Sequence, residues 1–141
     1  MSATGLKVFD TTLHKTSLWL DGIMKDMGWE DRHRAYEALR SVLHALRDRL
    51  MPDEAVHLGA QLPMLVRGFY YDGWHPAGTP FKYRHKEEFL RQVEKELPGL
   101  SGSDLEKAIT TVFAVLSRQL PDGELRQVKD QLPLEVRQLW H

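Results

Sequence analysis

Hydrophobic residues recur at helical spacing in six separate stretches of the chain. In the first stretch they lie three or four positions apart, at Phe9, Leu13, Thr16, Leu20, Ile23 and Met27, and Gly28 follows. A spacing of three and four places side chains on one face of an α-helix. The other five stretches begin near Asp31, Pro52, Phe89, Ser103 and Pro121. Since no stretch alternates as a strand does, the sequence predicts an all-α protein with six helices.

The two halves of the chain match each other at an offset of 70 residues. Gln61-Leu62-Pro63 and Arg67 correspond to Gln131-Leu132-Pro133 and Arg137, and Glu54 corresponds to Glu124. Any two amphipathic helices share apolar positions, but that does not explain the repeated Gln-Leu-Pro and arginine. The sequence therefore predicts an internal repeat of two three-helix units.

The repeat indicates how the units are arranged. We place them at about residues 9–73 and 84–140, with an aromatic connecting loop at about 74–83. A three-helix unit of this size buries only part of its apolar surface. We therefore expect one domain over residues 1–141, a six-helix globule with pseudo-twofold symmetry. The proline inside the third and the sixth helix should bend each of them.

Composition excludes several classes of protein. Of the 141 residues, 42% are hydrophobic and 28% are charged, and the net charge of −1 gives no basic surface for a nucleic acid. The absence of cysteine excludes disulfides and thiolate metal sites and fits a reducing cytosol. No apolar run reaches transmembrane length, and residues 1–6 do not resemble a secretory signal. We expect a cytoplasmic protein that contacts neither membrane nor nucleic acid.

A long signature within the chain resembles that of the DUF2267 family. It consists of the segment from Gln61 to Trp74, the later Glu88-Phe89-Leu90 with Val93, and the second Gln131-Leu132-Pro133 ending near Trp140. The resemblance covers about residues 9–140. It implies a mainly bacterial, all-helical family of unknown activity, and it supplies no catalytic residues.

Aromatic residues concentrate where the two units join. This segment supplies the candidate surface for a ligand or partner: Arg67, Tyr70, Tyr71, Trp74, His75, Phe81 and Tyr83. Aromatic side chains with one polar end are favoured at interfaces. Alternatively, the rings pin the connection to the core, and we favour this second interpretation for most of them. The repeat-equivalent Arg67 and Arg137 are expected to cap carbonyl groups or form ion pairs.

Metal binding and catalysis have weak support in the sequence. Three aspartate–histidine pairs lie four residues apart: Asp10 with His14, His44 with Asp48, and Asp53 with His57. A metal site needs three or four converging groups, and such pairs are usually ion pairs facing solvent. We also find no catalytic motif and no glycine-rich phosphate loop with a lysine. We expect no catalytic residues, no metal and no cofactor.

These patterns favour a non-enzymatic module that binds a protein partner or a second copy of itself, possible as a homodimer. The contact would use the aromatic segment or residual apolar helix surface at Trp19 and Trp29. The alternative is a small-ligand-binding protein or an enzyme with a pocket at the junction of the repeats. Its polar contacts would be Arg67, Tyr70, His75 and Tyr83.

Overall fold

The computed structural model describes residues 2–140 and confirms that this part of the chain is all-helical. It contains one short 3₁₀ turn at Pro76–Gly78 and no strand within that range. No helix among these residues is long and apolar enough to cross a membrane. The eight α-helices are α1 (Lys7–Met27), α2 (Arg32–Arg49), α3 (Pro52–Ala60), α4 (Met64–Tyr71), α5 (Lys86–Glu96), α6 (Gly102–Gln119), α7 (Asp122–Gln131) and α8 (Leu134–Arg137).

The two internal prolines end helices rather than bend them, so the expected count of six was wrong. Pro63 and Pro133 both have non-helical ψ angles, 151° and 149°. Each then starts a new helix, since the Pro63 carbonyl accepts a hydrogen bond from the Arg67 amide at 2.8 Å and Pro133 does the same for Arg137 at 2.9 Å. Proline lacks the amide that would continue the preceding helix but suits the beginning of the next one.

Two long helices lie at the centre of the core. Helix α2 packs against α5, and its counterpart in the 70-residue repeat, α6, packs against α1; α2 and α6 also contact each other. Their inward faces consist of fully buried aliphatic side chains, including Leu39, Leu43, Val42, Val112 and Leu116. Trp19 on α1 is 3% exposed and Trp29 is half-buried under Arg34, so the expectation that Trp19 forms residual apolar surface was wrong.

The N-terminal end of α1 extends past the core that it helps to form. Thr16, Leu20 and Ile23 are buried as the periodicity predicts, but Phe9 and Leu13 on the same stripe are 49% and 41% exposed. The first nine residues of α1 have no helical counterpart in α5, which begins at Lys86. The apolar stripe of α1 therefore continues beyond the helices that could cover it.

Candidate functional site

Most of the aromatic junction is packed onto the protein rather than open to a ligand. Tyr70 is fully buried, and its hydroxyl donates a hydrogen bond to the Ala55 carbonyl at 2.6 Å. Tyr83 is 7% exposed and lies under the Arg49 guanidinium. Burial raises the pKa of both phenols, so both hydroxyls stay neutral. These two rings hold the ends of the connection to the core.

The remaining predicted junction residues do not converge on a common centre. Tyr71 and Trp74 are half-buried with ring centres 5.4 Å apart. Tyr71 covers Gly59, where an added Cβ would collide with the phenol ring. His75 and Phe81 are exposed. In residues 2–140, none of the five surface cavities that we describe is lined by any of the seven predicted residues.

Arg67 and Arg137 cap helix ends, as their equivalent positions in the repeat suggest. Arg67 donates to the carbonyls of Gly59 and Leu62, both at 2.9 Å, and Arg137 donates to the Leu132 carbonyl at 3.2 Å. The last carbonyls of a helix have no partner within it. Each arginine thus satisfies the acceptors left free by the break before Pro63 or Pro133.

A buried polar network closes the C-terminal end of α4, just before the junction. Arg47 is 4% exposed and donates to the Tyr70 and Asp72 carbonyls at 2.8 and 3.0 Å. His44 lies between the Phe69 carbonyl (2.6 Å) and the Glu96 carboxylate (2.8 Å). Burial of Glu96 acts to raise its pKa, but the hydrogen bond and charge of His44 outweigh that effect and the pKa falls below its usual value. This network is structural, and it fixes where the aromatic connection starts.

An apolar groove lies on the other side of the molecule, where the uncovered end of α1 meets the start of α4. The groove has a volume of about 480 Å³ and is lined by Lys7, Val8, Thr11, Thr12, Lys15, Pro63 and Met64. The Thr12 hydroxyl accepts a hydrogen bond from the Leu65 amide at 2.9 Å, which joins the two helices at this point. Exposed apolar side chains surround the groove: Leu6, Val8, Phe9, Leu13, Met64 and Leu65, each 41–49% exposed. We call these six residues the α1–α4 apolar face.

The α1–α4 apolar face is well ordered at its free end. Asp10 accepts hydrogen bonds from the Thr4 amide at 3.0 Å and the Thr4 hydroxyl at 2.8 Å, and it also contacts the Ser2 hydroxyl. These hydrogen bonds lower the pKa of Asp10. They also tie the chain before α1 back onto the helix, so the apolar side chains are presented on a defined surface.

A second cluster of polar groups lies where α3 meets α7. The Nδ1 atom of His57 is 2.6 Å from Oε1 of Glu124 and 3.4 Å from Oε2 of Glu54. Glu124 is 4% exposed, whereas the His57 side chain is 51% exposed. Burial and the adjacent Glu54 carboxylate raise the pKa of Glu124 to about 7, although His57 acts to lower it. The three groups are close enough for their donor atoms to share one ion.

The aspartate–histidine pairs predicted from the sequence do not form. Asp10 binds the Ser2–Thr4 segment, His44 binds Glu96, and His57 binds Glu54 and Glu124 instead of Asp53. The glutamates that matter lie in other turns or other helices. The one signal in the sequence was that Glu54 and Glu124 occupy equivalent repeat positions, which indicates equivalent places in the two units but not mutual contact.

Comparison with known proteins agrees with the signature read from the sequence. No curated protein matches the chain. The profile of one family, described as "Uncharacterized conserved protein (DUF2267)", matches residues 16–139, which is nearly the whole chain. The match includes both Gln-Leu-Pro segments and the helical elements around them. The chain therefore belongs to the DUF2267 family.

Proposed function

We propose that this protein is a non-enzymatic module that associates with a second copy of itself through the α1–α4 apolar face. The observation that carries the proposal is the uncovered apolar stripe on the first turns of α1. It combines with Met64 and Leu65 at the start of α4 into one patch. Single exposed apolar side chains are ordinary on a protein surface, whereas a contiguous patch on an ordered helix marks a contact site.

The area of the patch suits a weak dimer. Six large side chains that are each nearly half exposed leave on the order of 500 Å² of surface, which is within the range of functional patches. Two copies face to face would then bury on the order of 1,000 Å², at the lower limit for a specific interface. We expect a dissociation constant between about 1 µM and 1 mM.

Charge favours a second copy of the same chain as the occupant. The net charge is −1, so two copies approach without strong repulsion. The charged groups bordering the face include Lys7, Lys15 and Asp10. In a twofold contact the same patch is used by both copies, so lysines of one copy can approach the aspartate of the other.

The aromatic junction supports this function less well than we expected from the sequence. Its two central tyrosines are buried, and Arg67 is engaged by carbonyl groups of its own chain. No described cavity favours a ligand pocket formed by Arg67, Tyr70, His75 and Tyr83. An interaction surface therefore accounts better for the observed geometry than a pocket between the repeats.

We also infer that the chain consists of two equivalent helical units related by pseudo-twofold symmetry, now with four helices each. The support is reciprocal packing: α2 on α5 corresponds to α6 on α1. Two surface grooves also correspond at the offset of 70, one including Gln61, Leu62, Pro63 and Gln119, the other Gln131, Leu132, Pro133 and Arg49. An experimental structure whose halves fail to superpose would contradict this inference.

Self-association is tested by light scattering coupled to gel filtration, over protein concentrations from about 10 µM to 1 mM. The wild type should show a mean mass that rises from 16.3 kDa towards twice that value. Leu13→Glu places a charge in the centre of the face and should hold the mass at that of the monomer.

The matched control is Leu134→Glu. Leu134 is 64% exposed and lies on α8, outside the α1–α4 apolar face. This variant should associate as the wild type does. A wild type that stays at 16.3 kDa at the highest concentration, or a Leu13→Glu variant that still dimerises, would refute the proposal.

A further inference from the structure

The first turns of α3 and α7 face each other and bring two glutamates together. Glu54 lies in the first turn of α3 and Glu124 in the first turn of α7, and the two helices are in contact. Acidic residues are favoured at this end of a helix because the free backbone amides and the helix dipole stabilise negative charge. Helix geometry thus explains why each glutamate is where it is, but not why two of them meet in a buried place.

The buried oxygen atoms of this pair lack donors. Glu124 is 96% buried by its 4% exposure, and neither of its carboxylate oxygens has a hydrogen-bond partner; the same holds for Oε2 of Glu54. His57 approaches Oε1 of Glu124 at 2.6 Å without forming a hydrogen bond of normal geometry. Buried polar groups are nearly always satisfied, and a buried carboxylate without a donor is costly. The site is therefore incomplete as a set of protein groups alone.

We propose that Glu54, His57 and Glu124 bind a divalent transition-metal ion of the zinc class. Their donor atoms all lie within 4.8 Å of one another. Ligands about 2.1 Å from a tetrahedral zinc ion are about 3.4 Å apart. The distances of 2.6 and 3.4 Å from His57 Nδ1 to the two carboxylates bracket that value closely enough for small side-chain rotations to complete the geometry.

The chemistry of the ligands selects the class of ion. One imidazole nitrogen and two carboxylate oxygens suit zinc and its neighbours in the first transition row. Calcium and magnesium prefer six or more oxygen ligands, which three side chains with one nitrogen do not supply. The exposed side of His57 leaves the remaining position to water, so the ion has a path into the site.

A bound ion would join the two halves of the chain. Glu54 and His57 belong to α3 in the first half and Glu124 to α7 in the second, 67 residues after His57. The ion would neutralise two adjacent carboxylates and supply the partner that their buried oxygens lack. Its expected role is to stabilise the contact between α3 and α7. This site shares no residue with the α1–α4 apolar face, so the two proposals can fail independently.

The test uses tag-free, full-length protein that has been treated with EDTA and then dialysed free of it. Zinc is titrated by isothermal calorimetry, and cobalt is added in parallel because its visible absorption reports protein ligands. The wild type should bind one ion per chain, and its melting temperature should rise when zinc is present.

Two variants decide whether the named residues hold the ion. His57→Ala removes a half-exposed side chain and should lower zinc affinity by at least about tenfold, since even groups behind the ligands have effects of that size. Glu124→Gln keeps the shape of the side chain and should abolish the zinc-dependent rise in melting temperature. Circular dichroism confirms that each variant folds.

The matched control is His33→Ala. His33 lies 3.9 Å from Glu37 on the surface of α2, a histidine–glutamate pair with no third ligand. This variant should bind zinc as the wild type does. Absence of binding by the wild type, or equal affinities for His57→Ala and wild type, would overturn the proposal and leave a carboxylate pair that shares a proton.

Discussion

Replacing Glu124 by glutamine should stabilise the metal-free protein, and by an amount that depends on pH. In the wild type, the buried Glu124 carboxyl lies beside that of Glu54, and its pKa is raised from 4.5 to about 7. Glutamine has nearly the same shape but no charge, so it removes the cost of ionising a buried group. Its amide N–H can also donate a hydrogen bond to Glu54.

The magnitude follows from the two pKa values. A tenfold change in proton affinity corresponds to about 1.4 kcal/mol, so raising the pKa from 4.5 to about 7 costs roughly 3 kcal/mol of stability once Glu124 is fully ionised. Burying an incompletely bonded amide returns about 1 kcal/mol of that cost. We expect Glu124→Gln to raise the free energy of unfolding by about 2 kcal/mol at pH 8.

The sign of the pH dependence follows from where the proton is bound. Below about pH 4.5 the carboxyl is protonated in both the folded and the unfolded chain, so ionisation costs the wild type nothing. Between pH 4.5 and 7 the folded protein holds a proton that the unfolded chain has released, and stability falls as pH rises. Above pH 7 the loss is complete. The advantage of the variant should therefore fall to within about 0.5 kcal/mol near pH 4.5.

Thermal unfolding in EDTA, followed by circular dichroism at pH 4.5 and pH 8, measures this difference. For a chain of this length 2 kcal/mol corresponds to a shift in melting temperature of about 7 °C. The matched control is Glu87→Gln, which removes a carboxylate that is 66% exposed and 3.9 Å from Arg91. That change should stay within about 0.5 kcal/mol at both pH values. A Glu124→Gln variant that is less stable at pH 8, or equally shifted at both pH values, would refute the reasoning.

Two further predictions concern the aromatic junction. Tyr70→Phe should lower the free energy of unfolding by about 1 kcal/mol in denaturant titrations, because it leaves the buried Ala55 carbonyl without its donor; Tyr71→Phe, whose longer 3.3 Å hydrogen bond is exposed, should change stability by less than half as much. Gly59→Ala should displace the Tyr71 ring from Gly59 and weaken its packing on Trp74, seen as a loss of near-ultraviolet circular dichroism. An unchanged spectrum would show that the ring does not depend on the glycine.

Local sequence determined the helices of this protein and the points at which they end. Apolar spacing of three and four residues depends only on the geometry of a single helix, so each predicted stretch is helical in the structure. The capping roles of Arg67 and Arg137 also follow from sequence, because each arginine lies four residues after a proline that leaves carbonyl groups free. The prolines were placed correctly, but whether they bend or break a helix was misjudged.

The long-range contacts could not be predicted in this way. His57 was paired with Asp53 because the two are four residues apart, yet Glu124 is its nearest carboxylate partner. Spacing along one helix says which side chains share a face of that helix. It says nothing about which helix lies opposite, and the Glu54–His57–Glu124 cluster exists only because α3 and α7 pack together.

The division between sequence and tertiary structure is clearest along α1. The sequence by itself determined that Phe9, Leu13, Thr16 and Leu20 share a stripe, since helical periodicity sets the direction of each side chain. Only the tertiary structure decided which of them are buried. Other helices cover Thr16 and Leu20, whereas Phe9 and Leu13 stay exposed because burial requires a second element to reach that turn.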